Sequence, residues 1–283
     1  MTSVIIPAHN EESVILGALR SLKSSTLPPN EIIVVCNGCN DNTAELVRKF
    51  SDDVILIETP IPSKVVALNM GDEAATGFPR VYMDADVHLS KNALELIVDT
   101  LSSTCLATSP RIKMNYDGVS WLVRAYYDIW LSLPYCQNGM IGAGIYALSE
   151  EGRARFDRFP DVIADDGYIR ALFKESERTA TENCYSQVSA PKTLNGLIKI
   201  KTRSRIGSYE LEKKYPGLKK NEQKDYSAVL FQWLWQLHKL PKIIIYVLIN
   251  FYAKARAQKQ MNKGNYAWER DETSRVGREI DGD

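Results

Sequence analysis

The sequence carries no excess of charge: 35 lysines and arginines stand against 35 aspartates and glutamates in 283 residues. With no global field of either sign, nothing draws the whole chain onto nucleic acid, and no nucleic-acid partner is expected. No leader is expected either, because MTSVIIPAHNEES has neither a basic start nor an apolar stretch of signal-peptide length before its first strand-like run. A cytoplasmic protein is expected. Cysteine is sparse, and five is an odd number, which fits reduced thiols better than a disulfide framework. No apolar run reaches the roughly 20 residues of a membrane-spanning helix. The two most apolar stretches, FQWLW at 231–235 and IIIYVLI at 243–249, are interrupted by Lys239, Pro241 and Lys242. Internal repeats and low-complexity tracts are missing as well. What remains is a chain long enough for a sizeable core, so size is no obstacle to an enzyme.

The first third alternates strand-like and helical patterns. SVIIP at 3–7, EIIVV at 31–35, residues 54–57 and residues 80–83 read as strands. Residues 11–22, 41–50 and 63–75 read as the helices between them. This alternation predicts an α/β fold, a mostly parallel sheet flanked by helices, with ligands at the carboxyl ends of the strands. Beyond residue 105 the alternation stops. An aromatic helix over 119–133, a glycine-rich strand GMIGAGIYAL, a loop ending in Asp165-Asp166 and a helical stretch over 227–263 broken at Pro241 are expected.

The fourth strand ends VYMDADV, with two carboxylates one residue apart. If the segment is extended, Asp84 and Asp86 point the same way and can converge on Mn²⁺ or Mg²⁺, whose other positions suit water and phosphate oxygens. A solvated turn before the next helix is the plain alternative. Polar groups also gather at the other strand ends: PAHNEE after the first, Asn37-Gly38 and Asp41-Asn42-Thr43 after the second, Lys64 and Asn69 on or before the third helix.

In that order, VIIPAHNEE, VVCNGCNDNTAE, ALNMG, YMDADV and Asp165-Asp166 resemble the family 2 glycosyltransferases of GT-A fold, over residues 1 to about 170. The resemblance implies an inverting transfer from a nucleotide-sugar donor. Pro7, Ala8, His9 and Glu11 would lie along the nucleotide, with Cys36 and Asn37 after the second strand. Lys64 would sit near the base or diphosphate, together with Asn69. Asp84, Ala85 and Asp86 would form the metal and ribose site, Asp86 being the principal ligand. Asp166 would be the general base and Asp165 its support, although aspartates capping the helix GYIRALF would look the same. Gly142, Ala143 and Gly144 would let backbone approach the acceptor. Arg203 or Arg205, in KTRSR, would stand where the family closes an arginine over the diphosphate, though the usual tryptophan is missing. The family usually has an acidic residue where Cys36 stands, so base preference is open.

The implied organisation is a nucleotide-sugar-binding half over 1–110, an acceptor-binding half of the same domain over 111–225, C-terminal helices over 226–263 and a disordered tail over 264–283. A sugar or lipid-linked acceptor in bacterial surface polysaccharide or glycolipid assembly follows from the resemblance. Aromatic and aliphatic residues beside Lys254, Arg256 and Lys259 suit peripheral membrane contact through 228–260 at the inner face of the cell membrane, while packing on the core or in a homodimer reads equally well. Three other classes use parts of the pattern. Cys36-Asn37-Gly38-Cys39 has the spacing of a thiol redox motif but has no second C-x-x-C for zinc. A haloacid dehalogenase-like phosphatase would use Asp84 as nucleophile, although His88 stands where Thr or Val is usual. A non-catalytic nucleotide-binding scaffold would need no second acidic site.

Overall fold

A computed structural model describes residues 1–101, 105–140, 144–218, 239–263 and 271–275. The chain begins β1 (Ser3–Ala8), α1 (Ile15–Lys23), β2 (Glu31–Asn37), α2 (Thr43–Phe50), β3 (Val54–Thr59), α3 (Lys64–Ala74) and β4 (Arg80–Met83). It continues β5 (His88–Leu89), α4 (Ala93–Thr100), β6 (Ala107–Asn115), α5 (Trp121–Leu131), α6 (Pro134–Asn138), β7 (Ile145–Leu148) and α7 (Glu150–Arg153). The last elements are α8 (Asp165–Leu172), β8 (Arg178–Ser189), α9 (Leu194–Lys214) and a long helix α10 (Leu240–Asn262).

The strands form one eight-stranded sheet in the order β3-β2-β1-β4-β7-β6-β8-β5. The β3, β2, β1 and β4 pairings are parallel, as the early alternation requires, and so is β6 with β8. β7 runs antiparallel to both β4 and β6, and β5 antiparallel to β8. The sheet is therefore mixed, and its antiparallel strands come from the stretch where the sequence pattern stops alternating.

Side-chain alternation sends β1 and β2 into two cores. Val4, Ile6, Ile32 and Val34 pack with Ile15, Leu19 and Leu22 of α1 and Leu94 and Ile97 of α4. Ile5, Ile33 and Val35 pack on the other face with Ala67 and Leu68 of α3 and Ile169 of α8. Both faces are thus covered, which is why these strands read as continuous apolar runs. A third cluster joins α5, α9 and α10 through Val123, Tyr126, Tyr127, Leu197 and Ile249. Pro241 lies in the first turn of α10, where its missing N–H costs nothing, so it begins this helix rather than breaking it. The stretch 227–238, expected to be helical, lies outside the described residues.

A buried ion group fastens α3 to the rest. Asp72, only 3% exposed, receives Arg80 Nη1 at 2.6 Å, Arg153 Nε at 2.8 Å and the Tyr82 hydroxyl at 2.5 Å. Asn69 on the same helix accepts from Phe159 N at 2.8 Å and donates to Phe159 O at 3.1 Å. Asn69 therefore clamps the loop that leads to α8, a role set by its two-way amide pairing.

Candidate active site

β1 has β2 on one side and β4 on the other, so strand order reverses beside it, the place where open α/β sheets hold ligands. His9 to Glu11 leave β1 there, and Asp84 to Asp86 leave β4. The second segment is not extended. β4 stops at Met83, and Val87 N donates to Asp84 O at 3.2 Å, closing a turn. The expected shared face of the two aspartates is thereby corrected, because the turn sends each carboxylate to its own cation. Lys64 Nζ lies 2.9 Å from Asp84 Oδ1, and Arg275 Nη2 lies 3.3 Å from Asp86 Oδ2. Gly144 holds the turn from the β7 side by accepting from Asp84 N at 2.7 Å. Its φ of +80° and the 2.7 Å that would separate an added Cβ from Val87 Cγ2 explain the glycine.

Lys64 opens α3, whose cap is Ser63 accepting from Val66 N. Its ammonium also reaches Asp165 Oδ1 at 3.1 Å and so joins the β4 turn to the head of α8. Burial works against the Lys64 charge, but Asp165 and then Asp84 more than offset it and hold its pKa above the ordinary lysine range. Asp165 is 5% exposed and also accepts from the Tyr146 hydroxyl at 3.5 Å. Asp166 is half-buried and accepts from Gly167 N at 2.7 Å. Burial, then the neighbouring Asp165 charge, push the Asp166 carboxyl up to about 6, against the pull of Lys64 and Arg170. Neither aspartate is the helix cap, since Ala164 holds that position without a side-chain bond.

Arg203 completes the charge cluster. It stands on α9 rather than in a loop; burial lowers its pKa, the nearby Arg275 adds to that, and the carboxylates of Asp84, Asp86 and Asp166 oppose it. Arg205 points elsewhere, donating to Asn250 of α10 at 3.3 Å, because two residues along a helix turn to another side. His9 Nδ1 lies 2.6 Å from Asn37 O. Pro7, Ala8, Cys36, Asn37 and Ala85 are buried at or just beyond the ends of their strands. The Asn37 amide, oriented by its neighbours, donates to Ala8 O at 2.9 Å and accepts from Ser63 N at 3.2 Å. Cys36 packs in the core and its hydrogen bond with Cys39, followed by burial, raises its pKa, while the same bond lowers Cys39 to about 6. Gly142 and Ala143 lie outside the described residues.

Among the described residues, no three His, Cys, Asp or Glu side chains are grouped to hold a metal unaided. Asp84 and Asp86 supply hard carboxylate oxygens of the kind that Mg²⁺ or Mn²⁺ takes, ions that need few carboxylates and complete their shell with water and phosphate oxygens. The turn already gathers cationic groups on both aspartates, which shows the charge this position attracts.

With this geometry in view, the match to known proteins is direct: the model of glycosyl transferase family 2 fits residues 3–143. The chain belongs to glycosyltransferase family 2. Glycosyltransferase AglE of Haloferax volcanii is 38% identical over 108 residues, which are 36% of this chain and 36% of that protein. The poly-β-1,6-N-acetyl-D-glucosamine synthase of Staphylococcus epidermidis is 22% identical over 265 residues, 87% of this chain and 60% of that protein. The chain thus spans between about a third and three fifths of these curated relatives. Among solved structures, the mannosyltransferase PcManGT of Pyrobaculum calidifontis, in complex with GDP-Man and Mn²⁺, aligns with a TM-score of 0.59 over 94% of this chain and 76% of that one, at 20% identity. TarS 1–349 of S. aureus in complex with UDP aligns at 0.51 over 94% and 92%, at 14% identity. These likenesses carry the GT-A fold. The family match also favours a glycosyltransferase over the phosphatase that would use Asp84.

Two residues of this candidate site have no counterpart among the residues expected from the sequence. Tyr146, inside the strand-like IYAL, gives no sign that its hydroxyl faces Asp165. Arg275 falls in the stretch expected to be a disordered tail, yet residues 271–275 are fastened beside α9, and its guanidinium reaches Glu11 at 2.9 and 3.2 Å. Short polar segments ordered by hydrogen bonds carry no hydrophobic periodicity, so nothing marks them in advance.

Proposed function

We propose that this glycosyltransferase moves a sugar from a nucleotide-diphosphate sugar to an acceptor hydroxyl with inversion at the anomeric carbon, with Asp166 as general base. The observation that carries the reading is the division of labour at the head of α8. Asp165 is neutralised by Lys64 and held by Tyr146, whereas Asp166 has a carboxyl pushed up to about 6. A base with that pKa is mostly ionised at neutral pH and still basic enough to take a proton in the transition state.

In this mechanism the acceptor oxygen attacks the anomeric carbon from the face opposite the diphosphate as Asp166 removes its proton. The carbon–oxygen bond to the phosphate breaks with its electron pair, and the nucleoside diphosphate departs. Asp84 and Asp86 would hold a Mn²⁺ or Mg²⁺ ion that offsets charge developing on the leaving group. Arg203 adds a fixed guanidinium among the same carboxylates, and Lys64 keeps the donor-side turn at a set distance from α8. The scaffold alternative leaves the Asp166 environment without a purpose.

The GDP-Man and UDP in the two neighbouring structures support a nucleotide-sugar donor here. Relatives named as a poly-N-acetylglucosamine synthase and a diaponeurosporenoate glycosyltransferase support a sugar or lipid-linked acceptor in surface polysaccharide or glycolipid assembly. No described helix is long and apolar enough to cross a membrane. Along α10, however, Leu240, Ile244, Val247, Leu248 and Phe251 form an exposed apolar stripe, opposite the buried Ile249, Ala253 and Ala257. We place that stripe on a membrane surface, where a lipid-linked acceptor would be reached.

Thermal unfolding with a panel of nucleotide sugars, each with and without Mn²⁺, tests the donor reading, since a ligand of the folded state raises the melting temperature. One nucleotide series should stabilise the protein, more with Mn²⁺ than without. No stabilisation by any of them, together with a phosphoryl-aspartate trapped at Asp84, would overturn the reading in favour of the phosphatase.

A further inference from the structure

Residues 271–275 form a short strap beside α9. Their sequence, DETSR, holds no apolar side chain, so hydrogen bonds and ion pairs fasten the strap rather than hydrophobic burial. Asp271 is 4% exposed, and its carboxylate accepts from Thr273 N, the Thr273 hydroxyl and Ser274 N. Lys192 N, just ahead of α9, donates to the Thr273 hydroxyl oxygen at 2.9 Å. The strap also sits against Gly196, where a Cβ would run into Asp271 Oδ1. Fastening of this kind exchanges for water at small net cost, which leaves the strap releasable as a unit.

At its end the strap delivers Arg275 to the crevice where strand order reverses, between Glu11, which follows β1, and Asp86, which follows β4. Nε and Nη2 fork onto the Glu11 carboxylate at 2.9 and 3.2 Å, Nη1 donates to Asp271 O at 2.9 Å, and Nη2 reaches Asp86 Oδ2 at 3.3 Å. The guanidinium is thus engaged on every side by the protein's own groups. Asp86 is also the carboxylate expected to be the principal ligand of a divalent cation, and a guanidinium on that carboxylate repels one. With Arg275 seated, the place of the cation is held by a charge that belongs to the chain.

We propose that the 271–275 strap is an autoinhibitory element: Arg275 occupies the Asp86 carboxylate in place of a divalent cation and closes the donor crevice until the strap leaves α9. The proposal rests on the nucleotide-sugar reading above, which makes Asp84 and Asp86 the cation side of the donor site. Entry of a cation with its nucleoside diphosphate is then coupled to strap release, because the like charges of Arg275 and the cation compete for one carboxylate. A tie that only fastened this segment would contribute stability and leave cation affinity unchanged.

Electron paramagnetic resonance of free Mn²⁺, titrated with the full chain, separates these cases without calling on transfer activity. R275Q should bind Mn²⁺ about tenfold or more tightly than the unaltered protein, the scale of removing one nearby like charge. R275K, which keeps the charge, should stay closer to the native affinity. G196A keeps Arg275 but displaces the strap, and should reproduce the gain with the helical circular dichroism retained. Hydrogen exchange at 271–275 should rise when Mn²⁺ and GDP or UDP are added together. Native Mn²⁺ affinity in both R275Q and G196A would overturn the proposal, as would weaker binding in R275Q or slower exchange of the strap with nucleotide bound. A gain in R275Q with none in G196A would overturn the part given to the strap and leave Arg275 as the block. If neither the unaltered protein nor either variant binds Mn²⁺, alone or with nucleotide, the cation-site reading itself fails and the proposal falls with it.

Discussion

Lys64 Nζ lies 3.1 Å from Asp165 Oδ1 while also holding Asp84, so one ammonium joins the turn after β4 to the first turn of α8. The donor side and the proposed base are thereby coupled electrostatically, and their separation is fixed by a side chain that α3 presents at its first residue.

The coupling predicts how transfer depends on pH. As the proposed base, Asp166 would work as a carboxylate, so kcat/KM should rise with pH through about 6. Asp165 raises that value and Lys64 lowers it. Lys64→Met should therefore move the acid limb to higher pH, and Asp165→Asn should move it lower, whatever either change does to the maximal rate. A limb that stays in place in both variants would detach Asp166 from the profile.

Asp72 predicts a stability effect away from the site. Removing its carboxylate leaves Arg80 and Arg153 buried without their partner, so Asp72→Ala should cost about 3–5 kcal/mol in denaturant unfolding. A loss below about 1 kcal/mol would mean that the group relaxes into water.

Much of the donor half was legible in the sequence because its strands are apolar runs separated by helical periods, and its polar residues fall at strand ends. The aspartates of the DAD turn could be located but not oriented, since an i, i+2 rule holds only while the backbone stays extended and here it turns after Met83. β6 and β8 were missed; they carry residues such as Arg111, Lys113 and Glu182 among their apolar positions and pair antiparallel with β7 and β5 or parallel with each other across long stretches of sequence. Asn69 looked like a ligand because its type and place match a motif, while its hydrogen bonds to Phe159 depend on a loop 90 residues away. Arg275 was illegible for the same reason: its anchor Glu11 is 264 residues distant.

The apolar stripe of α10 predicts flotation with anionic liposomes at low salt, weakened when Leu248 and Phe251 become Ser. These side chains are 61% and 72% exposed, so the fold should tolerate the change. Trp233 and Trp235, also expected at the interface, lie outside the described residues. Absence of the unaltered protein from the lipid fraction, with a concentration-dependent dimer in solution, would assign the stripe to a second copy.

Cys36 and Cys39 touch, and all five cysteines are free thiols. The expected role is shape at the β2 end, so replacing both by Ser should keep most of the transfer rate. A large loss, with a reversible disulfide forming under mild oxidant, would make them a redox couple instead.

The most direct test of the account is Asp166→Asn, read in three ways at once. The amide oxygen can still accept from Gly167 N, so α8 should persist. The raised carboxyl pKa means that the folded state holds this proton more tightly than the unfolded chain. Its contribution is lost as pH rises from the ordinary 3.8 through about 6, and at neutral pH the charged group is a burden. The variant should therefore melt at or above the native temperature at neutral pH, bind donor and Mn²⁺ with nearly native affinity, and transfer sugar about 10²-fold or more slowly. Transfer at the native rate in Asp166→Asn, with loss in Asp165→Asn instead, would contradict the assignment of the base.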